Sequence, residues 1–314
     1  PTPVIVFNLY YGVPATGQTE AFHERDDGYY EIGYPLHPPR WEDLGTGVVA
    51  DWATGLMWQQ GESNSQPAGG RSGIMSWEDA FAYVASLNRD SFGGFSDWRI
   101  PNALELLSTR DLGLDASQDP NHYLFTGTTH DPYWTSTCSA NFASGTAVYQ
   151  MSYGFGQSFA ELLDNDREAA VRACRSFFTG DDAEGFPATG QTLVIHPPGP
   201  FDLGDDGAAG AGYPRSGERF VREGTYTVRD RATGLTWLDA SSPNIRSWTQ
   251  AFDFVDGLNS LDVGGYNDWR LPNHDELVSL VDFGRFYPVI DPIFAGGTQK
   301  AWYWSSSTVK TLTS

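Results

Sequence analysis

The chain has 314 residues, of which 40% are hydrophobic, and this is enough for two domains of ordinary size that each bury a core. Its 40 acidic and 19 basic residues give a formal net charge of −21, which repels nucleic acids, anionic membrane surfaces and sulfated polysaccharides. The sequence has no apolar run of the roughly 18 residues that a membrane-spanning helix needs, so we expect no membrane insertion. Neutral glycans, cations, surface proteins and other copies of the chain are better candidates as partners.

The first predicted element is a hydrophobic strand at residues 4–11, which precedes the first repeated motif and has no counterpart before the second. One interpretation is that this strand pairs within its own module or packs between modules. The other is that it adds to an open sheet edge of a neighbouring copy. The residues that would form this assembly strand are Val4, Ile5, Val6, Phe7, Leu9 and Tyr10. Because the chain starts at Pro1 without a leader, we expect a mature exported protein, extracellular or at the cell surface.

Two copies of one module account for the rest of the chain. Each copy opens with Pro-Ala-Thr-Gly-Gln-Thr, continues with Asp-Asp-Gly and contains one Gly-Gly-x-x-Asp-Trp-Arg-x-Pro-Asn run, always in that order. The repeat predicts an extension strand at 1–13, a first module at 14–178, a linker at 179–186 and a second module at 187–314. The second module lacks counterparts of the first module's C-terminal strands.

Within each copy, the local signals predict two helices beside an antiparallel sheet. The first helix starts after Ser76 or Ser247, and each of these serines is followed by apolar residues at the i, i+3, i+4 spacing of one buried face. The second helix is shorter and starts after Asn102 or Asn273. Short segments rich in aromatic and apolar residues supply the strands. The predicted fold class is α+β and loop-rich, with two helices packed on short twisted antiparallel sheets in each module.

Four motifs occur in both copies: Ala-Thr-Gly-Leu-x-Trp, Trp-x-x-Ala-Phe, Asp-Trp-Arg-Ile/Leu-Pro-Asn-x-x-Glu-Leu and Tyr-Trp-Thr/Ser-Ser. Together they resemble the Lcl C-terminal domain family, which was first catalogued as a domain of unknown function and is named for a collagen-like bacterial adhesin. The Arg-Leu-Pro-Asn core also resembles C-type-lectin-like and formylglycine-generating-enzyme-like modules. The resemblance implies two tandem C-type-lectin-like modules, and, since the family includes glycan-binding adhesins, binding through the module loops.

Cys138 and Cys174, the two cysteines of the chain, both fall in strand-like segments of the first module. In an exported domain such a pair most simply forms a disulfide, which is what we expect. The alternative is a redox pair like that of formylglycine-generating enzymes. It has less support because the spacing is long and the second module has no cysteine.

The Asp-Trp-Arg motif is predicted to be structural. An arginine between an apolar Trp and a helix that carries a glutamate most often forms an internal ion pair. The residues of this structural motif are Asp97, Trp98, Arg99 and Glu105 in the first copy, and Asp268, Trp269, Arg270 and Glu276 in the second.

The Asp-Asp-Gly motifs supply the candidate metal ligands Asp26, Asp27, Asp205 and Asp206. Carboxylates in glycine-rich turns suit Ca²⁺, so calcium is a possible ligand. Neither copy has the spacing of an EF-hand loop, and Asx turns are the favoured explanation. No other cofactor is expected.

The sequence gives no support for catalysis. The six histidines show no metal-binding pairing, and the chain has neither a Gly-x-Ser-x-Gly motif nor a phosphate-binding loop. Aromatic rings and amides in variable segments could instead line a shallow sugar site. The candidate ligand-binding residues are Trp41, Trp52, Asn64, Gln66, Asn121, Tyr123 and Tyr133.

We therefore expect an extracellular, non-enzymatic binding or adhesion protein that recognises glycans or surface proteins. The alternative is a structural subunit of a self-assembling extracellular filament. In that case the N-terminal strand would complete the second module of a neighbouring subunit.

Overall fold

A computed structural model describes the chain at residues 13–33, 40–63, 73–113, 124–126, 132–142, 145–152, 157–162, 167–177, 186–213, 218–239, 246–285, 289–294 and 302–308. In this part of the chain the fold is mixed α+β, with six α-helices and small antiparallel sheets. None of the described helices is long and apolar enough to cross a membrane. The strand predicted at residues 4–11 lies outside the described residues.

The elements follow one order twice, with additional strands in the first repeat. In chain order they are α1 (Asp27–Tyr30), β1 (Trp41–Asp43), β2 (Val48–Asp51), β3 (Leu56–Gln59), α2 (Trp77–Arg89), α3 (Ala103–Leu107), β4 (Tyr133–Phe142), β5 (Gly145–Ser152), β6 (Gln157–Leu162), β7 (Cys174–Ser176), α4 (Asp206–Ala209), β8 (Phe220–Arg222), β9 (Thr227–Asp230), β10 (Thr236–Leu238), α5 (Trp248–Ser260) and α6 (His274–Ser279). Short 3₁₀ turns lie at Phe92–Gly94, Val263–Gly265 and Pro292–Phe294.

The central sheet of the first repeat has the strand order β1-β2-β3-β7, with all neighbours antiparallel. Successive residues of a strand point to opposite faces. Val48 packs in the hydrophobic cluster that contains α2, and Val49 packs in the cluster that contains Leu106 and Leu107 of α3. The sheet therefore carries a core on both faces. A separate meander, β4-β5-β6, completes this repeat.

The two predicted helices of the first repeat form as expected. The hydroxyl oxygen of Ser76 accepts the N–H of Asp79 at 3.1 Å and caps α2. Asn102 and Glu105 form a reciprocal capping box at the start of α3. The predicted apolar face of α2 is buried; its residues are Trp77, Ala80, Phe81, Val84 and Leu87.

The second repeat forms β8, β9 and β10 as a three-stranded sheet, followed by α5 and α6 with capping boxes at Ser247 and Asn273. It repeats the β1-β2-β3, α2 and α3 part of the first repeat. Among the described residues, β10 pairs only with β9, whereas its counterpart β3 pairs on both edges.

The disulfide prediction is wrong, because Cys138 and Cys174 are both unpaired and buried. Both do lie on strands, but their side chains belong to different hydrophobic clusters. The Sγ of Cys174 lies 3.2 Å from Nη1 of Arg99, and the Sγ of Cys138 faces the backbone oxygen of Ser136 at 3.7 Å. Burial raises the pKa of both thiols well above the ordinary value, so they stay protonated.

Each repeat divides into a lead-in segment and a body. We name residues 13–33 the N-terminal arm and residues 186–213 the middle arm. The first body comprises the described residues between 40 and 177, and the second body those between 218 and 308.

Candidate functional site

The candidate site is a face of the second body that is covered in the first body. In the first body, the segment that leads into β7 lies along β3. Gln59 N–H donates to the backbone oxygen of Ala173 at 2.9 Å, and Ser63 N–H donates to that of Val171 at 2.9 Å. The covering segment leaves Trp58, on β3, fully buried.

Among the described residues, no segment covers the equivalent face of the second body. Trp237 of β10, the counterpart of Trp58, is partly exposed. Trp304 is 52% exposed, whereas its counterpart Trp134 is 1% exposed. Tyr303 is about as exposed as Trp304, and Trp302 is fully exposed. We call this surface the open face; it comprises β10, Arg270, Trp302, Tyr303 and Trp304.

The arginine–glutamate ion pair predicted from the sequence is present in both repeats. Arg99 donates to both carboxylate oxygens of Glu105, at 2.6 and 2.5 Å, and Arg270 donates to Glu276 at the same two distances. The side chain of Arg99 is 6% exposed, and that of Arg270 is 24% exposed. Since Cys174 of β7 packs on Arg99, the greater exposure of Arg270 follows from the open face.

The contacts of the aspartate in the Asp-Trp-Arg motif also differ between the repeats, because β7 packs on the first repeat. Asp97 receives Nε of Arg175 at 2.6 Å, and Arg175 belongs to β7. Asp268 is exposed and has no partner among the described residues. The motif therefore has a structural role. In the first repeat its arginine pairs with Glu105, and its aspartate binds Arg175 of β7, the strand that covers the sheet edge.

Each body is completed by the arm of the other repeat, and a stacked imidazole anchors each arm. His196 of the middle arm stacks on Phe81 of the first body, with ring centroids 3.8 Å apart and planes 8° apart. His23 of the N-terminal arm stacks on Phe252 of the second body at 4.1 Å and 8°. The two contacts occupy equivalent positions in the two repeats.

An aspartate also joins each arm to the body on which the histidine of that arm stacks. Asp206 of the middle arm accepts hydrogen bonds from Thr189 in its own arm, at 2.5 Å, and from Thr137 of the first body, at 2.9 Å. Asp27 of the N-terminal arm accepts a hydrogen bond from Ser307 of the second body at 2.6 Å. Both aspartates are almost fully buried.

A glutamine makes the third matched contact. Gln191 of the middle arm accepts the backbone N–H of Cys138, and Gln18 of the N-terminal arm accepts that of Thr308 at 2.6 Å. These glutamines come from the repeated Pro-Ala-Thr-Gly-Gln-Thr motif. The motif therefore recognises the body of the other repeat.

Each arm also touches its own body, so that it bridges the two. Leu112 N–H donates to the backbone oxygen of Thr16 at 2.5 Å, and Phe283 N–H donates to that of Thr189 at 2.7 Å. The bodies are thus held together by two arms that cross between them.

The candidate calcium ligands have structural roles. Asp26 and Asp205 each accept three backbone N–H groups and cap the short helices α1 and α4. Asp27 and Asp206 make the arm joints described above. In the described part of the chain, no group of three or more His, Cys, Asp or Glu residues could hold a metal ion.

The two aspartates that join the arms to the bodies, Asp27 and Asp206, have raised pKa values. Desolvation by burial raises the pKa of Asp206 from 3.8 to about 7, against the opposing effect of hydrogen bonds from Thr189 and Thr137. Glu105 raises the pKa of Asp206 further, and Arg99 lowers it. Burial also raises the pKa of Asp27.

This acidity predicts a pH dependence of stability. Between pH 4 and 7 the folded protein keeps a proton on Asp206 that the unfolded chain loses, so the free energy of unfolding falls as pH rises through this window. The effect is expected to be on the order of 2–4 kcal/mol. Asp206→Asn, which stays neutral, should reduce the loss of melting temperature between pH 5 and pH 8. Identical pH profiles of the variant and the parent protein would contradict this role of Asp206.

The predicted sugar-binding residues do not form one surface within the described residues. Trp41 and Trp52 lie close together, since Trp52 N–H donates to the backbone oxygen of Arg40 and the Arg40 guanidinium lies over the Trp41 ring. Tyr133 is fully buried and its hydroxyl donates to Glu62, so its ring lies in the core rather than on a surface. The other four candidates, Asn64, Gln66, Asn121 and Tyr123, lie outside the described residues.

The sequence analysis missed the arm joints, although a signal was present. His23 and His196 occupy equivalent positions in the two lead-in segments. The glycine of each Asp-Asp-Gly motif is also explained by the arm, because a Cβ added at Gly28 would lie 2.2 Å from the backbone oxygen of Glu20. Equivalent polar and aromatic residues in both lead-ins indicated a shared docking role, but not which body each lead-in contacts.

The fold and the site together define a pair of α+β modules that are joined by arms, each docked on the body of the other repeat. Within the described part of the chain, the outer edge of β10 in the second module is unpaired. The Lcl C-terminal domain family matches residues 47–175 and 226–314, one match in each repeat. The chain belongs to this family, and the predictions of family and tandem modules are confirmed. No curated protein matches the chain, and no solved structure does. The further likeness to C-type-lectin-like modules stays a prediction.

Proposed function

We propose that the chain is an extracellular, non-enzymatic assembly protein of two C-type-lectin-like modules, in which the open face takes up an extended strand from a neighbouring copy. One observation carries the proposal: equivalent residues are covered in the first body and exposed in the second, as Trp134 and Trp304 are.

An extended strand is the shape of ligand that fits the open face. The outer edge of β10 offers backbone hydrogen-bonding groups, and in the first body the same edge pairs antiparallel with β7. Two half-exposed rings belong to Tyr303 and Trp304. In the first body the covering segment reaches the equivalent position, since the backbone N–H of Trp134 donates to the backbone oxygen of Ala170 at 2.9 Å. Covering the exposed part of each ring removes on the order of 100 Å² of apolar surface, which contributes about 2.5 kcal/mol per ring.

Residues 4–10 of a second copy supply a segment of this kind. The sequence Val-Ile-Val-Phe-Asn-Leu-Tyr has high strand propensity and is about as long as the covering segment 169–176 of the first body. It has no charged side chain, so it adds no direct repulsion when it approaches a chain of net charge −21.

The proposal predicts that deletion of residues 1–11 abolishes assembly while leaving the N-terminal arm in place. Light scattering of dilute protein, at concentrations where the N-terminal arm stays on its own second body, should show oligomers of the parent chain and only monomers of the truncated chain. A synthetic peptide of residues 1–12 should bind the truncated chain and change the fluorescence of the exposed tryptophans. The control peptide carries Val6→Asp, which places a charge in the strand and should abolish binding.

Two results would overturn this function. Assembly size that is unchanged by the deletion would remove the strand from the mechanism. Binding of neutral glycans by the monomer, lost on Trp304→Ala, would instead assign the exposed rings to sugar stacking and the protein to adhesion.

A further inference from the structure

A second interaction surface lies where the N-terminal arm docks on the second body. Its chemistry is that of the middle arm on the first body: a stacked imidazole, a buried aspartate that receives a hydroxyl, and a glutamine that receives a backbone N–H. One further contact belongs to the N-terminal arm, an ion pair between Arg25 and Asp256 at its surface. The docking site on the second body therefore makes the same three kinds of contact with its arm as the first body makes with the middle arm.

The two arms differ in how they are connected to the bodies. The middle arm lies between the two bodies in the sequence and docks on the body that precedes it. The N-terminal arm is joined to the first body by residues 34–39, yet its matched contacts are with the second body, which begins at residue 218. The N-terminal arm can therefore leave the second body while the middle arm and both bodies keep their positions.

We propose that the N-terminal arm exchanges between copies of the chain, so that residues 13–33 of one molecule dock on the second body of another. Every contact of the closed form is available to the exchanged form, because the donor and acceptor surfaces are the same. Direct contact between the bodies, such as the ion pair of Arg110 with Asp275 at 3.3 Å, forms between chains when the exchanged body takes the same position. Repeated exchange links molecules head to tail.

Protein concentration decides between the closed and exchanged forms. A tethered arm meets its own second body at an effective concentration on the order of millimolar, so dilute protein stays closed. Crowded protein, as on a surface or in a growing fibre, exchanges. This inference does not rest on strand addition, because the exchange requires residues 13–33 and not residues 4–10.

The test uses two full-length variants that carry one new cysteine each. Arg25→Cys and Asp256→Cys replace the partly exposed ion pair of the arm joint, while the native Cys138 and Cys174 are buried. The variants are mixed at increasing concentration and treated with a short bismaleimide crosslinker. Covalent heterodimers should accumulate as the concentration rises. The double variant in one chain should crosslink internally when dilute, which shows that the two positions are within reach.

A matched pair at the middle arm provides the control. Arg89 lies over the ring of Phe201, and both residues are exposed, so Arg89→Cys and Phe201→Cys test the arm that is held between two bodies. At least tenfold fewer heterodimers are expected from this pair. The proposal is overturned if the Arg25 and Asp256 variants yield no heterodimer although the double variant crosslinks, or if both pairs yield the same amount. Heterodimers that persist after deletion of residues 1–11 would separate arm exchange from strand addition.

Discussion

Deletion of residues 1–33 is expected to unfold the second body and to leave the first body folded. The deletion removes four hydrogen bonds to the second body and the stack of His23 on Phe252. At about 1 kcal/mol for each of these five contacts, the loss is on the order of 5 kcal/mol. The first body keeps the middle arm and its core.

Hydrogen exchange measures the two bodies separately. In the truncated chain the amides of α5 should exchange on the order of 1000-fold faster than in the full chain, whereas those of α2 should be nearly unchanged. Deletion of residues 1–11 alone is the control, since it retains the arm and should leave α5 protected. Equal protection of α5 in all three proteins would show that the arm does not complete the second body.

Arg99→Ala is expected to lower the free energy of unfolding by about 3–5 kcal/mol, because it leaves the buried carboxylate of Glu105 without its guanidinium. Arg270→Ala removes the equivalent ion pair from Glu276, but this arginine is more exposed at the open face. The loss there should be smaller, on the order of 1–2 kcal/mol. Urea denaturation of both variants makes the comparison. Equal losses would mean that the open face is covered in solution.

The local parts of the fold were predictable because their causes are local. A serine or asparagine followed three residues later by a group that completes the cap specifies where a helix begins, and the caps at Ser76, Asn102, Ser247 and Asn273 are present. The arginine–glutamate pair was predictable for the same reason, since its partners are six residues apart and the helix cap fixes their geometry.

The long-range parts were not predictable from one sequence. A repeated motif shows that two lead-in segments share a role, but spacing alone cannot say whether His23 docks on Phe81 or on Phe252. Strand positions for Cys138 and Cys174 were correct, yet strand membership does not fix which sheet faces which, and the two thiols lie in separate cores. The repeats alone also do not show which rings of the second body are exposed, and the exposure of Tyr303 and Trp304 required the structure.

Because each arm contacts the body of the other repeat, the sequences of the two repeats are expected to evolve together. Asn273 donates a hydrogen bond to the backbone oxygen of Ile32, which lies 241 positions earlier in the chain. A substitution in the arm of one repeat must therefore suit the body of the other, and replacing a single repeat by recombination changes one side of both joints at once. In family members with this arrangement, selection should act on the pair of repeats as one hereditary unit, with correlated changes between positions far apart in the gene.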